Sequence, residues 1–210
     1  KEIINIVKEV LIDFNKEIVE TFKNFSCKSE CFTSEQNCVL LVEPADKELE
    51  FVGVPLDVDI KIINKTINEN IIPVIAPLGL SKNKQVYNIN ADTAAGAISK
   101  KLKARRLLIL SDVEGVLDKD NKLIPEINSI KANELVKKGT ISEGMIPKIN
   151  NCIDVARNGV KGVVIIDGRK SHSILFELLS DKGAGTLIRQ WKNLKKLKIL
   201  YLIVMVFYTT

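Results

Sequence analysis

The sequence predicts an α/β protein in which helices cover a doubly wound, mainly parallel sheet. Three observations carry this. The runs "RLLILSD" and "GVVIIDG" are continuously apolar rather than alternating, as in strands buried on both faces. Helical patterns, "ADTAAGAISKKLKA" and "GMIPKINNCIDVARNGV", each precede one of these runs. Strand and helix alternate along the chain, which favours a layered α/β architecture. Ligands of such sheets bind beyond the carboxyl ends of the strands.

The elements follow in order. "KEIINIVKEVLIDFNKEIVETFKN" places Ile3, Ile4, Val7, Val10, Leu11 and Phe14 at helical spacing, as one long helix or a helix pair. A polar stretch with cysteines comes next. "NCVLLVE" predicts a short strand at Cys38 to Val42, and "EFVGVPLDVD" a second. "IKIINKTINEN" predicts a helix from about Asp59 to Asn68. "IIPVIAPLG" is read as one buried strand ending in a turn near Gly79. "KQVYNIN" is extended and "ADTAAGAISKKLKA" is a helix. "GVLDKDNKLIPEI" holds a turn at Lys119 to Asn121. "IKANELVKKG" is a helix closed by Gly139, and the following helix stops near Gly159. "SHSILFELLS" is a helix, and "AGTLIR" a final edge strand.

Composition narrows the function. With 210 residues, 46% hydrophobic and 27% charged, the chain is a globular protein with a real core. The net charge is +5, but the two signs are interspersed through the first 190 residues, and the few aromatics do not alternate with basic residues in a stacking pattern. This suits small anions such as phosphates or carboxylates better than nucleic acid. Cys27, Cys31, Cys38 and Cys152 fit no zinc spacing and the single His172 lies far off, so no metal site is expected and the thiols are read as reduced. The tail "WKNLKKLKILYLIVMVFYTT" has an apolar run, Ile199 to Tyr208, about half the roughly 20 residues needed to span a bilayer. It is read as an atypical extension or a helix packed on the body.

Polar residues gather at three junctions between elements. Asn88, Asn90 and Asp92 stand where "YNIN" hands over to a helix. One of them suffices as a cap; three suggest a site as well. In "LSDVEGVLDKD" a buried strand ends and Ser111, Asp112 and Gly115 follow, either as an ordinary turn or as a nucleotide-binding edge. In "GTISEGMIPKINN", Pro147 suits the first turn of a helix and Lys148 follows at once, a poor place for a cation unless an anion is bound there. Neither GxxxxGK[ST] nor a full GxGxxG occurs.

Taken in order, "IIPVIAPLG", "YNINADTAAGAI", "LSDVEGVLDKD", "ISEGMIPKINNCIDVA", "VIIDGR" and "GAGTLI" resemble the acetylglutamate kinases of the amino-acid kinase superfamily. The resemblance covers about Asn15 to Ile188. It implies a three-layer αβα sandwich of the carbamate kinase-like fold. Residues 1–104 would be the later part of the acetylglutamate-binding lobe and 105–190 the nucleotide-binding lobe, with 191–210 as the tail. The implied reaction is ATP-dependent phosphorylation of the side-chain carboxylate of N-acetyl-L-glutamate in arginine biosynthesis. Mg2+ would arrive with the ATP.

The resemblance also implies roles. Asn88 and Asn90 bind acetylglutamate, Asp92 organises the catalytic lysines, and Lys148 stabilises the transferring phosphoryl group. Asp112, Val113, Glu114, Gly115, Val116 and Leu117 line the ATP site, with Thr140, Ile141, Ser142, Gly144 and Met145. Some family members are hexamers inhibited by arginine; His172, Glu177 and Gly185 are the candidate contacts here. A homo-oligomer, dimer or hexamer, in the cytoplasm or a plastid stroma is expected, with no nucleic-acid or membrane partner. The family's opening strand, with a second lysine and glycine-rich turns, has no counterpart in this sequence. The chain therefore reads as N-terminally truncated, and a non-catalytic remnant that at most binds nucleotide is the alternative.

Overall fold

The computed structural model describes residues 2–46, 48–141 and 143–190. The chain divides into two compact units, the first ending at Ile98 and the second beginning at Ser99. The basic and apolar tail, residues 191–210, lies outside the described residues, as does Ser142.

The first unit opens with a single helix, α1 (Glu2–Asn24), not a pair. No Gly or Pro interrupts it, and Ile4, Ile12, Asn15 and Val19 share its buried face. The unit continues with β1 (Ser29–Phe32), β2 (Leu40–Pro44), β3 (Val52–Val58), α2 (Ile60–Asn68), β4 (Ile72–Ile75), β5 (Leu78–Leu80), β6 (Val86–Ile89) and α3 (Ala91–Leu102). Asn15 is tolerated in the apolar face because its Nδ2 donates to Val74 O at 2.8 Å.

Two expectations change here. The polar cysteine stretch contains a strand, β1, paired in parallel with β4 from Ser29↔Ile72 to Phe32↔Ile75. And "IIPVIAPLG" is two strands in two different sheets. Ala76 N still bonds Phe32 O, then Leu78 N turns back to Ala76 O, both at 2.8 Å. Pro77 sits at the centre of that three-residue turn, where its fixed φ fits and its missing N–H costs nothing.

Beyond the turn, β2, β3, β6 and β5 close on themselves. β3 with β6 and β5 with β2 are parallel; β2 with β3 and β5 with β6 are antiparallel. The strands of this unit are thus split between a parallel pair and a small mixed barrel. The barrel is tight: a Cβ on Gly79 would lie 2.4 Å from Val42 Cγ1 and 3.0 Å from Leu40 O.

The second unit holds β7 (Arg106–Ser111), β8 (Glu126–Ile127), α4 (Ser129–Lys137), α5 (Ile146–Arg157), β9 (Gly162–Asp167), α6 (Ser173–Leu179) and β10 (Gly185–Ile188). Its sheet runs β7-β9-β10-β8. β7 and β9 are parallel, and Leu107, Leu108, Ile109, Val163, Val164, Ile165 and Ile166 are fully buried, as their unbroken apolar runs predict. β10 is not an edge strand. It lies inside the sheet, antiparallel to β9, and β8 takes the edge. Two residues are too few for β8 to show a period, so the sequence could not announce it. Gly139, at φ +68°, closes α4: Gly139 N bonds Val136 O and Thr140 N bonds Leu135 O.

The four cysteines are free, and burial raises the Cys31 and Cys38 thiols above their ordinary value. Among the described residues no group of three His, Cys, Asp or Glu could hold a metal ion, and no helix is long and apolar enough to cross a membrane.

Candidate active site

The first polar group ends β6. Asn88 lies in the barrel wall between Val52 and Leu78, and its N–H donates to Phe51 O at 2.9 Å. Asn90, one residue past the strand, caps α3: its Oδ1 accepts from Thr93 N at 3.1 Å and from Thr93 Oγ1 at 3.3 Å. Asp92 is in the first turn of α3 and only 4% exposed. The helix dipole favours a carboxylate there. Capping is met by Asn90. It accounts neither for the half-buried amide of Asn88 nor for the burial of a carboxylate at Asp92.

The second group follows β7. Ser111 Oγ donates to Asp112 Oδ1 at 3.2 Å. Gly115 has φ +141°, and a Cβ on it would fall 2.5 Å from Thr186 Oγ1. The turn is pinned by that hydroxyl, which accepts from Val116 N at 2.8 Å and donates to Ile124 O at 2.7 Å. Leu117 bridges to Leu123, closing the expected turn, where Asp118 Oδ1 accepts from Asp120 N and Lys122 N. Those backbone N–H groups, Lys122's first, hold the Asp118 carboxyl below its ordinary range. Val113 and Glu114 lie on this turn, and Glu114 is ion-paired with Lys170.

The third group precedes α5. Ile141 is buried, Gly144 exposed with open space around it, and Met145 half-buried. The helix starts at Met145 with no side-chain cap and Pro147 in its first turn; the half-buried Lys148 comes next. An uncapped helix start suits an anion, and a cation beside it adds charge.

The arginine candidates stand as follows. His172 precedes α6 in the left-handed region, φ +63°. Glu177 Oε2 accepts from Ala184 N at 3.0 Å, with Gly183 packed beneath it. Gly185 is buried in β10, where a Cβ would lie 1.9 Å from Ile165 O. Its missing side chain is therefore required by the sheet itself.

Asp167, Arg169 and Thr186 carry no role in the sequence reading. Asp167 is buried at the end of β9, opposite Ser111 in register. Its oxygens take Arg169 Nε at 2.9 Å and Nη2 at 3.0 Å. The guanidinium holds the Asp167 carboxyl below its ordinary value. The available signal was "IIDGR", a second buried strand ending in a carboxylate and a glycine, like "LILSD".

Known proteins match this arrangement. The amino acid kinase family profile matches residues 5–167. The chain is 62% identical over 190 residues to the acetylglutamate kinase of Pelagibacter ubique, which covers 90% of this chain and 66% of that protein. It spans about half the length of further curated relatives, as at 48% for that of Nitrobacter hamburgensis. Among solved structures, smu.665 from Streptococcus mutans UA159 superposes with a TM-score of 0.77 at 29% identity, over 90% of this chain and 72% of that one. Carbamate kinase from Giardia lamblia shares the fold, with a TM-score of 0.59 at 21% identity over 84% of this chain and 67% of that one. The chain belongs to the amino acid kinase family.

Proposed function

We propose that this protein is an acetylglutamate kinase, moving the γ-phosphoryl group of ATP onto the side-chain carboxylate of N-acetyl-L-glutamate in arginine biosynthesis. The observation that carries this is the 62% identity to an acetylglutamate kinase along 90% of the chain. Such identity favours the enzyme over a non-catalytic remnant.

The residues suit the chemistry. Phosphoryl transfer asks a protein for positioning and charge neutralisation, not covalent help. The acceptor carboxylate is already ionised at neutral pH, so no strong base is needed. In this reading Asn88 and Asn90 hold acetylglutamate, with Asn90 also capping its helix. The buried Asp92 organises the site. Lys148 neutralises the transferring group. The turn Asp112, Val113, Glu114, Gly115, Val116 and Leu117 binds ATP with Thr140, Ile141, Ser142, Gly144 and Met145. Mg2+ is assigned to the nucleotide's phosphates, as the phosphoryl-transfer reading implies. Residues 1–104 then serve acetylglutamate and 105–190 the nucleotide.

A homo-oligomer belongs to the same reading; Ile3, Ile6 and Val10 leave an apolar stripe of α1 exposed. The two acetylglutamate kinases named are bacterial, which favours a bacterial cytoplasm over a plastid. The test is hydroxamate trapping of the acyl phosphate with ATP and acetylglutamate. Turnover that falls about 10²–10³-fold in Lys148→Ala supports the assignment. A folded protein that neither turns over acetylglutamate nor binds it with Mg-ATP overturns it.

A further inference from the structure

Five charged side chains gather where β7 and β9 end side by side. Ser111 pairs with Asp167 in register, and Gly168 N donates to Ser111 O at 2.8 Å, so the two carboxyl ends are tied together. Asp112 and Glu114 follow β7; Asp167 ends β9, and Arg169 and Lys170 follow it. Lys170 is committed to Glu114.

Asp167 and Arg169 are unequal partners. The Asp167 side chain is 5% exposed, that of Arg169 68%. Besides the two guanidinium bonds, Arg169 N donates to Asp167 Oδ1 at 3.0 Å. A buried carboxylate gripping a guanidinium by its edge fixes the plane of the ion. With that edge occupied, a broad face of the guanidinium is left toward solvent.

Charge decides what the face meets. Asp112, Glu114 and Asp167 against Arg169 and Lys170 sum to one negative charge. Asp112 and Glu114 lie within electrostatic reach of the guanidinium. Such a place repels a phosphate chain but suits a neutral aromatic ring, and a planar cation stacks well on one. The carboxyl edge of parallel strands is also where α/β sheets take their ligands.

We infer that the purine base of the nucleotide stacks on Arg169, and that Asp167 is the positioning residue that holds the guanidinium flat for it. This rests on the nucleotide reading above and divides the ligand in two, with the base over β7 and β9 and the phosphates at the start of α5.

The test is calorimetric titration of the protein with Mg-ATP and, separately, with tripolyphosphate. Arg169→Ala weakens ATP about tenfold and leaves tripolyphosphate affinity unchanged, because only the base is lost. Arg169→Lys fails to restore ATP affinity, since an ammonium has no plane. Asp167→Asn shifts ATP affinity in the same direction as Arg169→Ala. Circular dichroism melting confirms that the variants compared are folded. Wild-type ATP binding that Arg169→Ala leaves intact overturns the stacking alone. Full rescue by lysine, or an equal loss for tripolyphosphate, overturns it in favour of plain charge attraction. A folded wild type that binds no ATP overturns the nucleotide reading, and the stacking with it.

Discussion

Thr186 holds Val116 from across the sheet. Its hydroxyl, on the interior strand β10, accepts the Val116 N–H at 2.8 Å and donates its own O–H to Ile124 O at 2.7 Å. Both residues are buried, Thr186 completely. One side chain seventy positions away in sequence therefore sets the turn after β7.

Thr186→Val keeps the shape and removes both bonds. The buried Val116 N–H and the half-buried Ile124 carbonyl then lose a partner, at about 1–3 kcal/mol for the first and less for the second. Urea unfolding is expected to show a loss of about 2–4 kcal/mol, while Thr186→Ser, which retains the hydroxyl, loses about 1 kcal/mol for its methyl. Equal stability of wild type and valine variant would remove the pin.

Asp167 predicts an acid limb in stability. Its carboxyl is lowered first by the Arg169 side-chain hydrogen bonds, against the opposing effect of burial. A group lowered in the folded state stabilises above its unfolded value, about pH 4, and that contribution is lost as pH falls through the folded value. Melting curves from pH 7 to pH 2 should show a smaller acid-side loss for Asp167→Asn than for wild type. Parallel curves would assign the acid limb to other carboxylates.

Glu177 separates two roles for one carboxylate. It accepts the Ala184 N–H, so truncation loosens the turn that leads into β10 whether or not arginine binds nearby. Arginine inhibition at the site formed by His172, Glu177 and Gly185 would need the charge as well. We expect Glu177→Gln, which retains an acceptor, to melt near wild type but to lose inhibition by millimolar arginine. An uninhibited wild type would discard the arginine site and leave the loop role standing.

The glycines rank by what surrounds them. A Cβ at Gly185 meets backbone, Ile165 O at 1.9 Å, which cannot move without breaking the sheet. At Gly79 the nearest atom is the Val42 side chain, at 2.4 Å, with Leu40 O at 3.0 Å. Around Gly144 nothing lies within 4 Å. Soluble expression should fail for Gly185→Ala, Gly79→Ala should lose about 1–3 kcal/mol, and Gly144→Ala should unfold within about 0.5 kcal/mol of wild type.

Much of this was written in local pattern. Continuous apolar runs announced β7 and β9 because both faces of those strands are buried, and burial leaves no alternation to read. Gly139 announced the end of α4 because only a left-handed residue completes that cap. Asn88, Asn90 and Asp92 stood out as candidates because polar residues where a strand hands over to a helix break an apolar pattern, and Lys148 because it is a cation in the first turn of a helix. Which polar residue caps and which does not was decided by geometry: Asn90 bonds Thr93, while Asn88 stays in the strand.

What the tertiary structure alone decided depends on partners distant in sequence. The split of "IIPVIAPLG" follows from Phe32 drawing Ala76 into one sheet while Leu41 draws Leu80 into another. The interior place of β10 depends on a two-residue strand too short to carry a period. The coupling of Val116 to Thr186 arises because β7, β9 and β10 lie side by side in one sheet. Periodicity reports which face of an element is buried; it carries no record of which neighbour buries it.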